Sequence, residues 1–174
     1  MSEHWSAVLP DNACQDALAW ACKQPSAEDA WTSCDRGDWM LWLLGKWCDG
    51  AEQRKKLVLA ACACARLALP YIKTSEARPL KAIETAEQWA RGENGITLDD
   101  VRKAAAAASA AAADAADAAY AAAAYAAYAA DAAYAAYAAY AADAAYAADA
   151  ARSKALREMA DIVRAHFPQA PVLP

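Results

Sequence analysis

The stretch YAAYAADAAYAAYAAYAADAAYAAD, residues 125–149, repeats a strict Xaa-Ala-Ala triplet in which Xaa is Tyr or Asp. Polyproline II and collagen also repeat every three residues, but they need Pro or Gly, and this stretch has neither. Alanine is the strongest helix former, so the reading is α-helix. The stretch is the centre of a longer tract: of the 48 residues 104–151, 35 are Ala, seven are Tyr, five are Asp and one is Ser109. On a helix, three residues advance about 300°, so each Xaa falls about 60° behind the last. The Tyr/Asp line is therefore a left-handed spiral that closes in about 18 residues, or roughly 27 Å. A two-helix coiled coil has a pitch of roughly 150 Å, so no partner helix can follow this line as a seam.

Length restricts the arrangement. One helix from Leu98 to Ala165 would run roughly 100 Å, against roughly 40 Å across a compact globule of this chain length. The tract either protrudes as a rod or folds back. Candidate breaks are Asp114 and Asp117 as caps, the triplet slip at 121–124 and the region of Asp149 to Ser153, and a fold-back near 114–124 is the favoured reading.

Outside the tract the helix signals follow one another closely, and no segment alternates at period two over a strand's length. Asp11-Asn12 can cap a short helix through Trp20, stopped by Pro25. Ser26 with Asp29 forms a capping box for a helix to about Cys34. Asp35-Arg36-Gly37 reads as a turn, with Asp38 capping WMLWLLGKWC. A longer helix runs from Ala51 to Leu69, ahead of Pro70. Another opens at Ser75-Glu76, tolerates Pro79 in its first turn, carries Leu80, Ile83, Ala86 and Ala90 at core spacing, and ends at Gly92. Thr97 with Asp100 makes a further capping box. After Arg152, Leu156, Met159, Ile162, Val163 and Phe167 form a helical apolar stripe. The expected fold is all-α: a multi-helix array over 1–97, rich in Trp, with the Ala/Tyr/Asp helical region 98–174 packed on it as one domain.

All seven Trp lie in the first hundred residues, which locates the anchor of the core in the N-terminal half. Trp39, Leu43 and Trp47 share a helical face with Met40 and Leu44, and Trp42 is the one expected to be partly exposed.

Charge and motifs narrow the function. The tract 104–151 holds five Asp and no Lys or Arg, which equals the −5 of the whole chain. An acidic segment without a basic patch argues against gripping phosphate directly, and fits a basic protein partner. The N-terminal MSEHWSAVLPDN lacks the basic and apolar regions of a signal peptide, and no run is greasy enough to span a bilayer. The expectation is a cytoplasmic protein with reduced cysteines. Cys62 and Cys64 stand about 200° apart on a helix and no CxxC pair exists, so no metal or cofactor is expected. His4 and His166 lie near the termini, with neither a nucleophile nor an orienting group assignable to either, so no catalysis is expected.

The segment Ala30-Trp31, Cys34 and RGDWMLWLL (36–44), then RKKLVLAACACARLALPY (54–71) and EARPLKAIETAEQWARGENG (76–95) leading into an Ala-rich tail, resembles the alanine-rich, Imm-5-like immunity proteins of bacteria, phages and prophages. The resemblance covers roughly residues 10–110. It implies an all-helical fold and neutralisation of a toxin or defence factor by binding it, and it brings no site residues.

The Tyr/Asp spiral is the leading candidate surface, with Tyr128, Asp131, Tyr134, Tyr137, Tyr140 and Asp143 at its middle and Trp42 as a contact from the N-terminal array. Tyr offers rigid area at low entropic cost, and Asp the sign that complements a basic toxin or defence nuclease. Three other readings of the same tract are an Ala helix that Tyr and Asp merely space and solubilise, its regularity a product of slippage in a short DNA repeat; a scaffold in which Ala-rich helices pack between copies, as a homo-oligomer; and a nucleic-acid mimic whose Asp stand in for phosphates. Five Asp over roughly 70 Å make the mimic sparse.

Overall fold

A computed structural model describes residues 4–48, 50–71, 75–93, 95–114 and 149–172. They form seven α-helices: α1 (Gln15–Ala21), α2 (Ala27–Ser33), α3 (Gly37–Trp47), α4 (Ala51–Arg66), α5 (Arg78–Arg91), α6 (Leu98–Asp114) and α7 (Asp149–His166). Two short 3-10 turns, Trp5–Val8 and Leu69–Tyr71, complete the described elements, and none of them is a strand. The chain is all-α, as its helix signals predict. The spiral residues 128–143 and the expected fold-back near 114–124 fall outside the described residues, apart from Asp114 at the end of α6.

The capping boxes form as expected. Ser26 accepts from the Asp29 backbone N–H at 3.0 Å and opens α2. Asp100 accepts from the Thr97 N–H at 2.9 Å and opens α6. Gly92 closes α5 in the left-handed conformation at φ 70°, the region that costs a side chain most. At α1 the cap falls two to three residues later than expected: Cys14, rather than Asp11-Asn12, occupies the cap position, and its side chain makes no capping bond. The 3-10 turn at Trp5–Val8 precedes α1 and has no counterpart among the sequence signals.

Gly37 corrects the reading of 35–37 as a turn. It is the first residue of α3 and is buried. A Cβ there would lie 2.5 Å from Ala160 N and 2.6 Å from Met159 C, with Met159 Cβ also in contact. The missing side chain lets the start of α3 press directly on the backbone of α7. Asp38 pairs with Arg36 rather than capping the helix.

The core joins both ends of the chain. Trp31, Met40, Leu41, Leu44, Leu57, Val58, Ile83 and Val101 belong to one buried cluster with Leu156, Met159, Ala160 and Val163 of α7. The anchor is therefore shared with the C-terminal helix, not confined to the N-terminal half. Of the expected α3 face, Met40 and Leu44 are buried together with Leu41, whereas Trp39, Leu43 and Trp47 flank them half-buried. The indoles are too wide for the narrow α3–α7 approach that Gly37 sets, so they splay to its sides. On α5, Ala82 takes the buried place expected of Leu80, which is 37 % exposed. Small residues at Ala82 and Ala108 let α5 and α6 pack closely.

One carboxylate sits in this frame. Glu87 accepts from Arg66 Nε at 2.8 Å and Nη2 at 2.9 Å, tying α4 to α5, and from Arg91 at 3.3 Å. The Arg66 hydrogen bonds hold its carboxyl below the ordinary range. Arg78 does the same to Glu76, down to about 2. A carboxylate depressed on folding stabilises above its ordinary pKa and loses that contribution as pH falls through the folded value. The melting temperature should therefore decline as pH drops from about 4.5 towards 2, with most of the loss in that window. Glu87→Gln should flatten the decline and cost about 1–2 kcal/mol at pH 7, since both arginines keep access to water. A melting temperature equal at pH 5 and pH 2.5 would contradict this account of the pair.

Candidate functional site

Five of the seven tryptophans, Trp5, Trp20, Trp31, Trp39 and Trp42, line a groove of about 300 Å³ between α1–α3 and the C-terminal residues Ala170 and Pro171. The local sequence explains the arrangement. The short helices α1 and α2 cannot bury an indole between themselves, so Trp20 leans onto Trp39 of α3, ring centroids 6.0 Å apart and tilted at 54°. Trp39 in turn carries the Arg36 guanidinium, whose carbon lies 4.2 Å from its ring centroid. Arg36 Nε donates to Asp38 Oδ1 at 2.8 Å, and Asp38 raises the guanidinium pKa further above its usual value. A charged, planar group thus stands on the apolar wall with its carboxylate partner beside it. Trp42 is half-buried, lines the groove, and has the Lys46 ammonium 5.5 Å from its ring.

The floor of the groove is locked to α7 from both directions. Trp31 is 4 % exposed, and its indole N–H donates to the Phe167 carbonyl at 2.9 Å, just beyond the end of α7. Arg164 of α7 reaches back and donates to the Cys34 carbonyl at 2.6 Å and the Trp31 carbonyl at 3.3 Å, at the end of α2. Each helix terminus has carbonyls without intrahelical partners, and here each is satisfied by a side chain from the other element. Arg164 also pairs with Asp161 at 2.8 Å, which fixes its approach. The indole wall is therefore presented on a rigid support.

The sequence reading placed Trp42 at a partner surface, and the structure brings it to this groove. The other six candidate residues, Tyr128, Asp131, Tyr134, Tyr137, Tyr140 and Asp143, lie outside the described residues. Trp20, Trp39 and the Arg36–Asp38 pair carry no local sequence signal of a site. The signal for them was the crowding of Trp before residue 43, which by itself reads as core. Cys34, Cys62 and Cys64 are buried; burial pushes the Cys34 thiol up to about 11 and the other two upward as well, as expected of core residues. Among the described residues no group of three His, Cys, Asp or Glu could hold a metal ion. No helix among them is long and apolar enough to cross a membrane.

Among the described residues His4 has no carboxylate beside it, and its ring is held by a hydroxyl and a backbone carbonyl. Its Nδ1 lies 2.8 Å from Ser6 Oγ, and its Nε2 lies 3.2 Å from the Gln24 carbonyl. The second contact bridges 20 residues of sequence and could not be read from local spacing.

No curated protein matches this chain. No solved structure matches it either. A family model does, over residues 50–167, from the start of α4 to the Phe167 carbonyl that receives the Trp31 indole. That segment starts later and ends later than the stretch on which the sequence resemblance rested, and it takes in two-thirds of the chain, α4 to α7. The chain belongs to the Imm-5 like putative immunity protein family.

Proposed function

We propose that this protein is a non-catalytic, protein-binding inhibitor, an immunity factor that neutralises a toxin or nuclease-like target by occupying it. Family membership over 50–167 carries this reading. The groove supports it with a surface of suitable chemistry, because Trp and Arg dominate the energetic centres of protein interfaces and here they stand together, half-buried, on a rigid floor. Arg164 and Phe167, which fix the floor of the groove, lie inside the family segment. The Tyr/Asp spiral, Tyr128 to Asp143, is the second proposed contact, and its acid would steer a basic partner.

Co-expression with the product of the neighbouring reading frame, scored by colony survival and by affinity of the purified pair, tests this reading. The intact chain should rescue growth. Trp42→Ala should weaken affinity by roughly ten- to hundredfold, the range of a central interface residue. Asp131→Asn with Asp143→Asn should slow association and reduce its salt dependence. Unchanged affinity in both Trp42→Ala and Trp39→Ala would move the contact off the groove.

A further inference from the structure

The N-terminal turn and the end of α1 bring together three side chains that the groove does not use. Ser6 Oγ lies 2.8 Å from His4 Nδ1 and 3.3 Å from Cys22 Sγ. The direction of these bonds follows from the chemistry of each group. The Gln24 carbonyl can only accept, so His4 carries its proton on Nε2 and offers Nδ1 as an acceptor. The Ser6 backbone N–H points at the same Nδ1, at 3.3 Å. Ser6 then gives its single hydroxyl proton to Nδ1, and an oxygen lone pair is left for the Cys22 S–H. A thiol, a hydroxyl, an imidazole and a carbonyl are linked in series by hydrogen bonds, the connectivity of a nucleophile coupled to a base. The Trp5 indole N–H also donates to the Gln24 carbonyl, at 2.8 Å, and pins the turn against the end of α1.

We propose that Cys22 is a modification site whose thiol, deprotonated through Ser6 by His4, reacts with low-molecular-weight disulfides to form a mixed disulfide. In the step, the Cys22 proton passes to Ser6 Oγ as the Ser6 proton passes to His4 Nδ1. The Cys22 sulfur attacks one sulfur of the disulfide, a new S–S bond forms, and the old one breaks. The departing thiolate takes the proton from His4. The incoming disulfide is the oxidant, and its leaving half is reduced to a free thiol. Cys22 is exposed, as this chemistry requires, and so is Cys14 at the opposite end of α1. Cys34, Cys48, Cys62 and Cys64 are buried and do not compete. Ser6 adjoins Trp5, a wall residue of the groove, so an adduct on Cys22 forms next to that wall.

The full chain, folded and fully reduced, is exposed to oxidised glutathione at pH 7.5 and sampled over time by peptide mass mapping. Cys22 should acquire the glutathione adduct about tenfold faster than Cys14, a modest share of what a positioned base can supply. Ser6→Ala should slow Cys22 by about tenfold and leave Cys14 unchanged. His4→Gln keeps an acceptor for the Ser6 N–H but removes the base, so it should slow Cys22 by the same factor; circular dichroism confirms that both variants fold. Equal rates at Cys14 and Cys22 in the native chain would overturn the proposal. So would a Cys22 rate untouched by His4→Gln.

Discussion

Gly37→Ala is expected to cost about 3 kcal/mol or more of folding stability, at the upper end of what an inserted methyl costs in a packed core. The reason lies in what the methyl meets. A Cβ at Gly37 falls 2.5 Å from Ala160 N and 2.6 Å from Met159 C, which are backbone atoms in the middle of α7. A flexible side chain could swing aside, but helix backbone cannot, so α3 and α7 must separate along their whole contact. That contact includes Met40, Leu41 and Leu44 on one side and Met159, Ala160 and Val163 on the other. Domains of this size are stable by about 5–15 kcal/mol, so the loss is a large fraction of the total. Chemical denaturation should show a shifted midpoint. Gly50→Ala is the matched control, because its Cβ would meet only the Gln53 side chain at 4.0 Å and its φ of −80° suits any residue. It should change stability by less than about 1 kcal/mol. Equal effects at the two glycines would refute the close approach of α3 to α7.

The second large effect is expected at the clamp between α2 and α7. Trp31→Ala should lower stability by about 3–5 kcal/mol, as for other fully buried aromatic truncations. Trp31→Phe separates the hydrogen bond from the packing. It keeps most of the ring but leaves the Phe167 carbonyl without its indole donor, at about 1–3 kcal/mol. Arg164→Met strips the Cys34 and Trp31 carbonyls of their guanidinium at a similar cost. The two bonds share one interface, so Trp31→Phe and Arg164→Met together should cost less than their sum by about 0.5–3 kcal/mol. Strict additivity would mean that the two helix ends are held independently.

What the sequence made legible follows from the range of the interactions involved. Capping boxes at Ser26 and Thr97, the stop at Gly92 and the apolar stripe of α7 are local signals within a helical turn or two, and they read correctly. Gly37 misread because its role is set by Met159 and Ala160, more than a hundred residues away; locally, Asp-Arg-Gly looks like a turn. Trp39 and Trp47 lie beside the buried face rather than on it because period alone gives a face but not its width, and the wide indoles yield the narrow approach to smaller Leu and Met side chains. Trp31 and Arg164 could not be paired for the same reason of distance. The groove was visible only as an excess of Trp. Its geometry depends on α1 and α2 being too short to shelter their own rings, which becomes apparent once α3 stands beside them.

The most direct measurement of the central claim, inhibition by occupancy, is a titration of the target's activity with increasing amounts of this protein. The purified product of the neighbouring reading frame is held fixed well above the expected dissociation constant, and residual toxic activity is read after a fixed interval. Stoichiometric binding predicts a linear fall to a break point set by a fixed ratio of the two chains, unchanged when the incubation is lengthened. Neutralisation by amounts far below that ratio, deepening with time, would mean turnover and would contradict the account.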